Sequence, residues 1–271
     1  MVSRGSSQIW AIAATAAQEV LRRKVLYVVV FLLVIVGVFS LAGMAVLQMA
    51  TESGEAGIAT SIRTNLVSST LAMWVSAAQF LAVFLGAIAL SSEVTSKTIV
   101  NVLARPIDRA AYLTGRWLGL LIFLVLFQVA GHALGLLMIA LTGVSVAPTF
   151  WFGLLQSFVS IILLSGVSLA LSVVMPPIVA GGLAVFLPVL PPLVQGLTSH
   201  PNWALKGPAM AIYYLLPAHM PLNLIGESLS GQLLQPRYGL YAAVIAENLL
   251  YAVVVFAVGC MLLRRRELRL R

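Results

Sequence analysis

The chain has 271 residues, of which 61% are hydrophobic and only 9% are charged. A soluble domain carries about 25% charged residues, so the composition excludes a soluble globular protein, and it excludes intrinsic disorder, which requires low hydrophobicity. The net charge of +8 would fit nucleic-acid binding in a soluble protein, but in a membrane protein its meaning depends on where the basic residues lie.

The first predicted element is an amphipathic helix within residues 1–24. At 100° per residue, its polar side collects Gln8, Thr15, Gln18, Glu19, Arg22 and Arg23. Its apolar side collects Ile9, Trp10, Ala13, Ala17, Val20 and Leu21, with Ile12 as the exception. An apolar face, an interfacial tryptophan and a basic end are typical of a helix that lies in the membrane surface. The alternative is an early extension of the first membrane span.

The remainder, residues 25–271, is predicted to be an all-α membrane domain with six spans of about 20 or more residues. The predicted spans are 25–50, 65–91, 111–142, 150–174, 178–197 and 238–263. Pro176 and Pro177 separate the fourth span from the fifth, because proline cannot continue a helix. The connecting segments are a charged stretch at 92–110, a short turn at 143–149 and a long outer loop at 198–237.

The fifth span contains three further prolines, Pro188, Pro191 and Pro192. Proline removes a backbone donor and collides with the preceding turn of a helix. The fifth span is therefore predicted to be kinked or broken.

The basic residues predict the orientation of the chain, because they concentrate on the cytoplasmic side of a membrane protein. With six spans, one side holds Arg4, Arg22, Arg23, Lys24, Lys97, Arg105, Arg109, Arg116, Arg264, Arg265, Arg266, Arg269 and Arg271. The other side holds only Arg63, Lys206 and Arg237. Both termini and segment 92–110 are therefore predicted to be cytoplasmic, at an inner membrane. Attraction to anionic membrane lipids accounts for the charge, and nucleic acid is not expected as a partner.

Signatures of the common enzyme classes are absent from the sequence. It contains no G-x-x-x-x-G-K-[ST] phosphate loop, no H-E-x-x-H zinc motif and no G-x-S-x-G nucleophile motif. Of the three histidines, His200 and His219 flank the outer loop, and two histidines at that spacing are a weak metal signal. Cys260 is interpreted as a small buried hydrophobic residue. We expect no catalytic residue, metal or cofactor in this chain.

A few polar residues interrupt the predicted spans and are the candidates for a substrate pathway: Gln79, Gln128, His132, Glu247 and Asn248. An ionisable residue inside a span is costly and favours a functional role, and Glu247 is the clearest case. The alternative is that these side chains are hydrogen-bond partners between helices, with Glu247 paired to His132 or to a glutamine.

Segment 92–117 predicts a short helix held parallel to the membrane. Residues 98–104 are long enough for one or two helical turns, and Arg105 leaves the helical region because it precedes Pro106. Asp108 is well placed to cap the third span. Such a helix is a docking surface for a cytoplasmic partner; the alternative is an ordinary loop.

This segment resembles the cytoplasmic loop between the second and third spans of ABC type-2 permeases. The matching residues are Glu93, Thr98, Ile99, Leu103, Arg105, Pro106, Ile107, Arg109, Tyr112, Leu113, Gly115 and Arg116, whereas Lys97 stands where the family usually has glycine. The N-terminal amphipathic helix resembles the elbow helix of that family. Residues 214–217 (Tyr-Leu-Leu-Pro) resemble the branch related to the permease for maturation of nitrous-oxide reductase, a multicopper enzyme.

The resemblance implies the permease subunit of an ATP-driven exporter. It implies a second permease subunit, in a homodimer or heterodimer, and a separate ABC ATP-binding subunit that holds ATP and Mg. The residues implied in coupling to that subunit are Glu93, Thr98, Leu103, Arg105, Pro106, Asp108, Arg109, Gly115 and Arg116. The alternative is an ion-coupled secondary transporter or channel that uses Glu247; a membrane-embedded enzyme has less support.

Overall fold

The computed structural model describes residues 2–22, 25–52, 56–95, 109–199, 202–217, 224–230 and 237–265. Within these ranges the regular secondary structure is entirely helical. The helices are α1 (Val2–Arg22), α2 (Val25–Glu52), α3 (Ala56–Thr95), α4 (Arg109–Thr142), α5 (Thr149–Ser172), α6 (Pro177–Phe186), α7 (Leu190–Thr198), α8 (Trp203–Leu215), α9 (Leu224–Ser230) and α10 (Tyr238–Arg265). The expectation of an all-α fold is confirmed.

Five of the described helices, α2, α3, α4, α5 and α10, are long and apolar enough to cross a membrane. They correspond to five of the six predicted spans. The predicted fifth span, 178–197, is instead divided into α6 and α7, which are separated by residues 187–189. The prolines at 188, 191 and 192 account for the division, and the latter two occupy the first turn of α7, where the missing amide hydrogen is tolerated.

Two predicted boundaries differ from the structure. Helix α3 begins at Ala56 rather than near residue 65, because residues 56–64 contain polar side chains but no proline that would stop the helix. The outer loop, 198–237, contains α8 and α9. The side chain of Asn202 starts α8 by accepting a hydrogen bond from the Ala204 amide at 3.0 Å, which is a common helix cap.

Helix α5 lies at the centre of the bundle and packs against α3, α4 and α10. Small residues permit this close packing, as glycine, alanine and serine do in many membrane bundles. A Cβ atom on Gly86 of α3 would lie 2.8 Å from the Ser165 carbonyl oxygen of α5. Ser168 of α5 donates to the Val83 carbonyl of α3 at 2.6 Å. Gly86 therefore allows α3 and α5 to approach closely, and Ser168 satisfies its hydroxyl group with a hydrogen bond between the two helices.

Helices α3, α5 and α10 run in the same direction, and α4 runs opposite to them. Phe152 of α5 lies beside Tyr241 of α10, and Ala170 lies beside Gly259 with the same separation in sequence. Asn248 and Val159 each lie seven residues beyond the Tyr241–Phe152 contact, so Asn248 of α10 lies at the depth of Val159 in α5. We call the end of the bundle where α3 and α10 finish and α4 begins the basic end, because Arg109, Arg264 and Arg265 lie there.

Candidate functional site

Arg116 connects three helices near the basic end. Its side chain projects from α4 and is buried, with 8% of its surface exposed. One guanidinium nitrogen, Nη1, forms an ion pair with Oε2 of Glu19 in α1 at 2.5 Å. The other, Nη2, donates to the Ala89 carbonyl of α3 at 3.3 Å. We call this arrangement of Glu19, Ala89 and Arg116 the arginine junction.

Two glycines of α4 allow α1 to approach closely enough to form the junction. A Cβ atom on Gly115 would lie 2.8 Å from the Ile12 Cβ atom, and one on Gly119 would lie 2.7 Å from the Ala16 Cβ atom. The G-x-x-x-G spacing places both glycines on one face of α4, a common device for bringing two helices together. Of the apolar face predicted for the N-terminal helix, Ala13 is buried whereas Trp10 is exposed. The face of α1 that contacts α4 instead includes Ile12, the exception to the predicted pattern, and Ala16.

Arg109 connects the start of α4 to the end of α10. Its Nη1 atom donates to the carbonyl oxygens of Leu263 and Arg264, each at 3.4 Å. These carbonyls lie in the last described turn of α10. A cation at this position is also favoured by the helix dipole. Arg109 therefore joins the start of α4 to the last described turn of α10.

An apolar cluster supports both arginines. Its buried members are Leu90 of α3, Tyr112 and Leu113 of α4, Leu169 of α5, Val173 directly after α5, and Leu263 of α10. Trp117 packs at its margin, stacked on Phe256 with ring centres 4.2 Å apart, and donates to the Ser165 hydroxyl at 3.0 Å. Cys260 also packs against the cluster but is only partly buried, whereas the sequence predicted a buried residue.

The predicted coupling residues fall into two groups. Glu93 lies in the last turn of α3, and Arg109, Gly115 and Arg116 lie in the first turns of α4 around the arginine junction. The predicted coupling helix at 98–104 lies outside the described residues, as do five of the predicted coupling residues: Thr98, Leu103, Arg105, Pro106 and Asp108. The contacts given above for Gly115 and Arg116 are with other parts of this chain.

A buried polar cluster connects α4 and α5 in the middle of the bundle. Gln128 Nε2 donates to the Ser157 hydroxyl at 2.9 Å, and His132 Nε2 lies 2.8 Å from the same hydroxyl oxygen. Ser157 itself donates to the Leu154 carbonyl at 2.6 Å. Gln128 Nε2 also lies 3.2 Å from His132 Nε2, so the three side chains form one hydrogen-bonded cluster. Gln128 and His132 lie between helices as hydrogen-bond partners, which was the alternative to a pathway role.

The other predicted pathway residues lie at a similar depth but are not brought together at one point. Gln79 Nε2 of α3 donates to the Ser160 hydroxyl of α5 at 3.1 Å. Asn248 is buried, and its Oδ1 atom has no hydrogen-bond partner among the described residues. Glu247 is exposed on the surface of α10. His132 bonds to Gln128 and Ser157, so the suggested pairing of Glu247 with His132 is absent from the described contacts.

An apolar groove opens between α3 and α6 on the half of the bundle nearer the basic end. Its volume is about 320 Å³. Phe80 and Phe84 form one wall, and Ile178 and Val185 form the other. Gly181 and Gly182 place no side chains on the α6 side of the groove. The groove offers no charged group, so it suits an apolar surface or the apolar part of an amphiphile.

Sequence reasoning missed Glu19 and Gly119 as members of the site. The G-x-x-x-G spacing of Gly115 and Gly119 was a signal of close helix packing. Nothing in the sequence indicates that Glu19 pairs with a residue 97 positions away. His200 and His219, the weak metal pair, lie outside the described residues, and within the described parts no group of three His, Cys, Asp or Glu side chains could hold a metal.

Comparison with known proteins gives one informative result. A family described as "ABC-2 family transporter protein" matches residues 10–268. The match includes α2 to α10 and the part of α1 that carries Ile12, Ala16 and Glu19. No curated protein matches the chain.

Proposed function

Because the chain belongs to the ABC-2 transporter family, whose members are membrane subunits of ABC transporters, we propose that it is an export permease driven by a separate ATP-binding subunit. Five apolar helices long enough to span a membrane agree with a multi-pass membrane protein. In this proposal ATP and Mg bind to the partner subunit, and this chain contributes the transmembrane pathway but no ATPase site.

The observation that carries the proposal is the arrangement of helices around segment 96–108. That segment joins α3 to α4, and Arg109 and Arg116 connect these flanking helices to α1 and α10. A force applied to the segment therefore reaches four helices through direct contacts. Within the proposal, the ATP-binding subunit contacts Glu93 at the end of α3 and, in the segment itself, Thr98, Leu103, Arg105, Pro106 and Asp108. Arg109, Gly115 and Arg116 act from the underlying helix α4.

The orientation proposed is the one that the basic residues predict. Both termini and segment 96–108 lie in the cytoplasm, where an ATP-binding subunit has access to the segment. The permease pairs with a second permease subunit around the pathway, as a homodimer or a heterodimer. Residues 214–217 support assignment to the branch related to the maturation of a multicopper enzyme.

The proposed pathway combines the apolar groove with the polar residues at mid-depth. The groove between α3 and α6 suits the apolar part of a substrate. In this proposal the substrate also passes the polar residues that lie at a similar depth, which are Gln79, Gln128, His132, Asn248 and the exposed Glu247. An amphiphile is the substrate class that uses both features.

The test is purification of the affinity-tagged chain from its native membranes in mild detergent. We expect an ABC ATP-binding protein to co-purify and to hydrolyse ATP in the complex. Arg105→Ala in the predicted docking segment should release that protein, whereas Arg63→Ala, at the opposite end of α3, should retain it. A chain that purifies alone, and that moves substrate in vesicles without ATP, would contradict the proposal.

The alternative is an ion-coupled transporter or channel that uses Glu247. It predicts that Glu247→Gln abolishes flux and that an ion gradient, in the absence of ATP, drives it. Membership of the ABC-2 family argues against this alternative.

A further inference from the structure

We infer that Arg116 is a positioning residue of the transport cycle, which fastens α1 to both helices that flank segment 96–108 so that the three move as one body. The inference rests on the proposed function, because it requires an ATP-binding subunit that acts on the segment. It adds α1 as an element that responds to ATP and identifies the side chain through which it does so.

The geometry of the guanidinium group carries the inference. Nη1 is paired with Glu19 in α1, and Nη2 donates to the Ala89 carbonyl in α3, while the side chain itself belongs to α4. A guanidinium presents its donors in a rigid planar fork, whereas lysine offers a single point charge on a flexible stem. One arginine can therefore hold two neighbouring helices in fixed directions at the same time.

The position of Arg116 along the chain is also specific. Ala89 precedes the end of α3 at Thr95, and Arg116 follows the start of α4 at Arg109, by nearly equal distances. At 1.5 Å per residue, the junction lies about 10 Å from either end of segment 96–108 along uninterrupted helix. A displacement of the segment is therefore transmitted to the junction by two helices without an intervening loop.

Because Arg116 is buried within this chain, its side chain is not accessible for direct contact with a partner protein. Helix α1 covers the side chain, because Ile12 lies against Gly115 and Ala16 lies against Gly119. A pocket of about 20 Å³ beside the ion pair, lined by Glu19 and Arg116, has room for about one water molecule. Arg116 therefore acts on other proteins only through the helices that it joins.

The test uses the full chain in complex with its co-purified ATP-binding subunit, reconstituted in lipid nanodiscs. Cys260 is replaced by serine, and an environment-sensitive fluorophore is attached at Gln18→Cys, an exposed position of α1. The signal is compared in the presence and absence of ATP with Mg. We expect a nucleotide-dependent change that falls at least about fivefold in Arg116→Gln, the lower end of typical coupling between two sites, while ATP hydrolysis continues.

Two further variants make the result specific. Glu19→Gln weakens the same junction from the side of α1 and should reduce the signal in the same way, even where Arg116→Gln does not fold. Arg63→Gln, which alters a basic residue at the far end of α3, should leave the signal unchanged.

Two outcomes would overturn the inference. The first is a complex that hydrolyses ATP and keeps its full nucleotide-dependent signal in both junction variants. The second is a wild-type complex that hydrolyses ATP without any change at α1. Failure of the proposed function looks different, because no ABC ATP-binding subunit would then co-purify with the wild-type chain.

Discussion

The indole of Trp74 in α3 occupies the space where a side chain on Gly131 of α4 would otherwise lie, so that a Cβ atom on residue 131 would overlap the ring. The indole is fixed in this position from two directions. Its Nε1 atom donates to the Phe127 carbonyl at 3.1 Å, and its ring stacks on the Phe127 ring with centres 4.6 Å apart. The contact between α3 and α4 therefore depends on the absence of a single methyl group.

Gly131→Ala should destabilise the bundle by about 1–3 kcal/mol, the usual cost of overpacking a well-packed interior. Trp74 cannot give way without losing its hydrogen bond and its stacking partner. The measurement is thermal unfolding of the detergent-solubilised chain followed by tryptophan fluorescence. Gly37→Ala on α2 is the matched control, since a Cβ atom there meets nothing within 4 Å. Equal melting temperatures for the two variants would contradict the packing described.

A disulfide between α1 and α4 should form in the double variant Ile12→Cys, Gly115→Cys with Cys260→Ser. A Cβ atom on residue 115 would lie 2.8 Å from the Ile12 Cβ atom, and a shift of about 1 Å brings the pair to the usual disulfide separation. Copper phenanthroline oxidation followed by cyanogen bromide cleavage and electrophoresis would detect the cross-link. The pair Ile12→Cys, Leu126→Cys, whose second position is exposed about three turns further along α4, should remain uncoupled, and cross-linking of the two pairs to the same extent would refute the placement of α1.

Ser157→Ala should lower the stability of the bundle by about 1–3 kcal/mol, because it removes the hydroxyl group that both Gln128 and His132 contact and leaves their buried polar atoms without that partner. The expected result is a lower melting temperature in detergent. Ser61→Ala is the control, since that exposed hydroxyl donates only to the Gly57 carbonyl of its own helix. If Ser157→Ala unfolds at the wild-type temperature, the cluster does not join α4 to α5 as described.

Arg109→Gln should loosen the last turn of α10. The change removes the donor to the Leu263 and Arg264 carbonyls and the favourable charge at the helix end, a contribution of about 0.3–1 kcal/mol. Hydrogen–deuterium exchange should accelerate at residues 262–265 and remain unchanged at the start of α10. Arg237→Gln, which lies next to that start, is the control and should not affect the last turn.

The membrane helices could be predicted from the sequence because the hydrocarbon core of a bilayer restricts the backbone structures that can cross it. A backbone inside the membrane must satisfy its own hydrogen bonds, so a long apolar run has few alternatives to a helix. The predicted spans 25–50, 111–142, 150–174 and 238–263 therefore agree with α2, α4, α5 and α10 to within a few residues. The division of the fifth span also followed from local chemistry, since its prolines act on their own helix.

The arginine junction depends on contacts that no local pattern contains. Glu19 and Arg116 could each be placed on a helix, but their pairing depends on how α1 crosses α4, which the glycines at 115 and 119 determine. Arg109 similarly bonds to residues 154 and 155 positions away. The sequence resemblance indicated that this region carries function, whereas the physical contacts through which it does so required the three-dimensional arrangement.

Helix α3 has 40 residues, which gives a rod about 60 Å long at 1.5 Å per residue. The hydrocarbon core of a bilayer is only about 30 Å thick, so α3 extends well beyond it. If such a rod pivots near its middle by about 10°, its two tips travel roughly 5 Å in opposite directions. In the proposed transport cycle, a small tilt at the end that carries Ala89 would produce an opposite swing at the end that carries Arg63, and α3 would act as a lever between the two aqueous compartments.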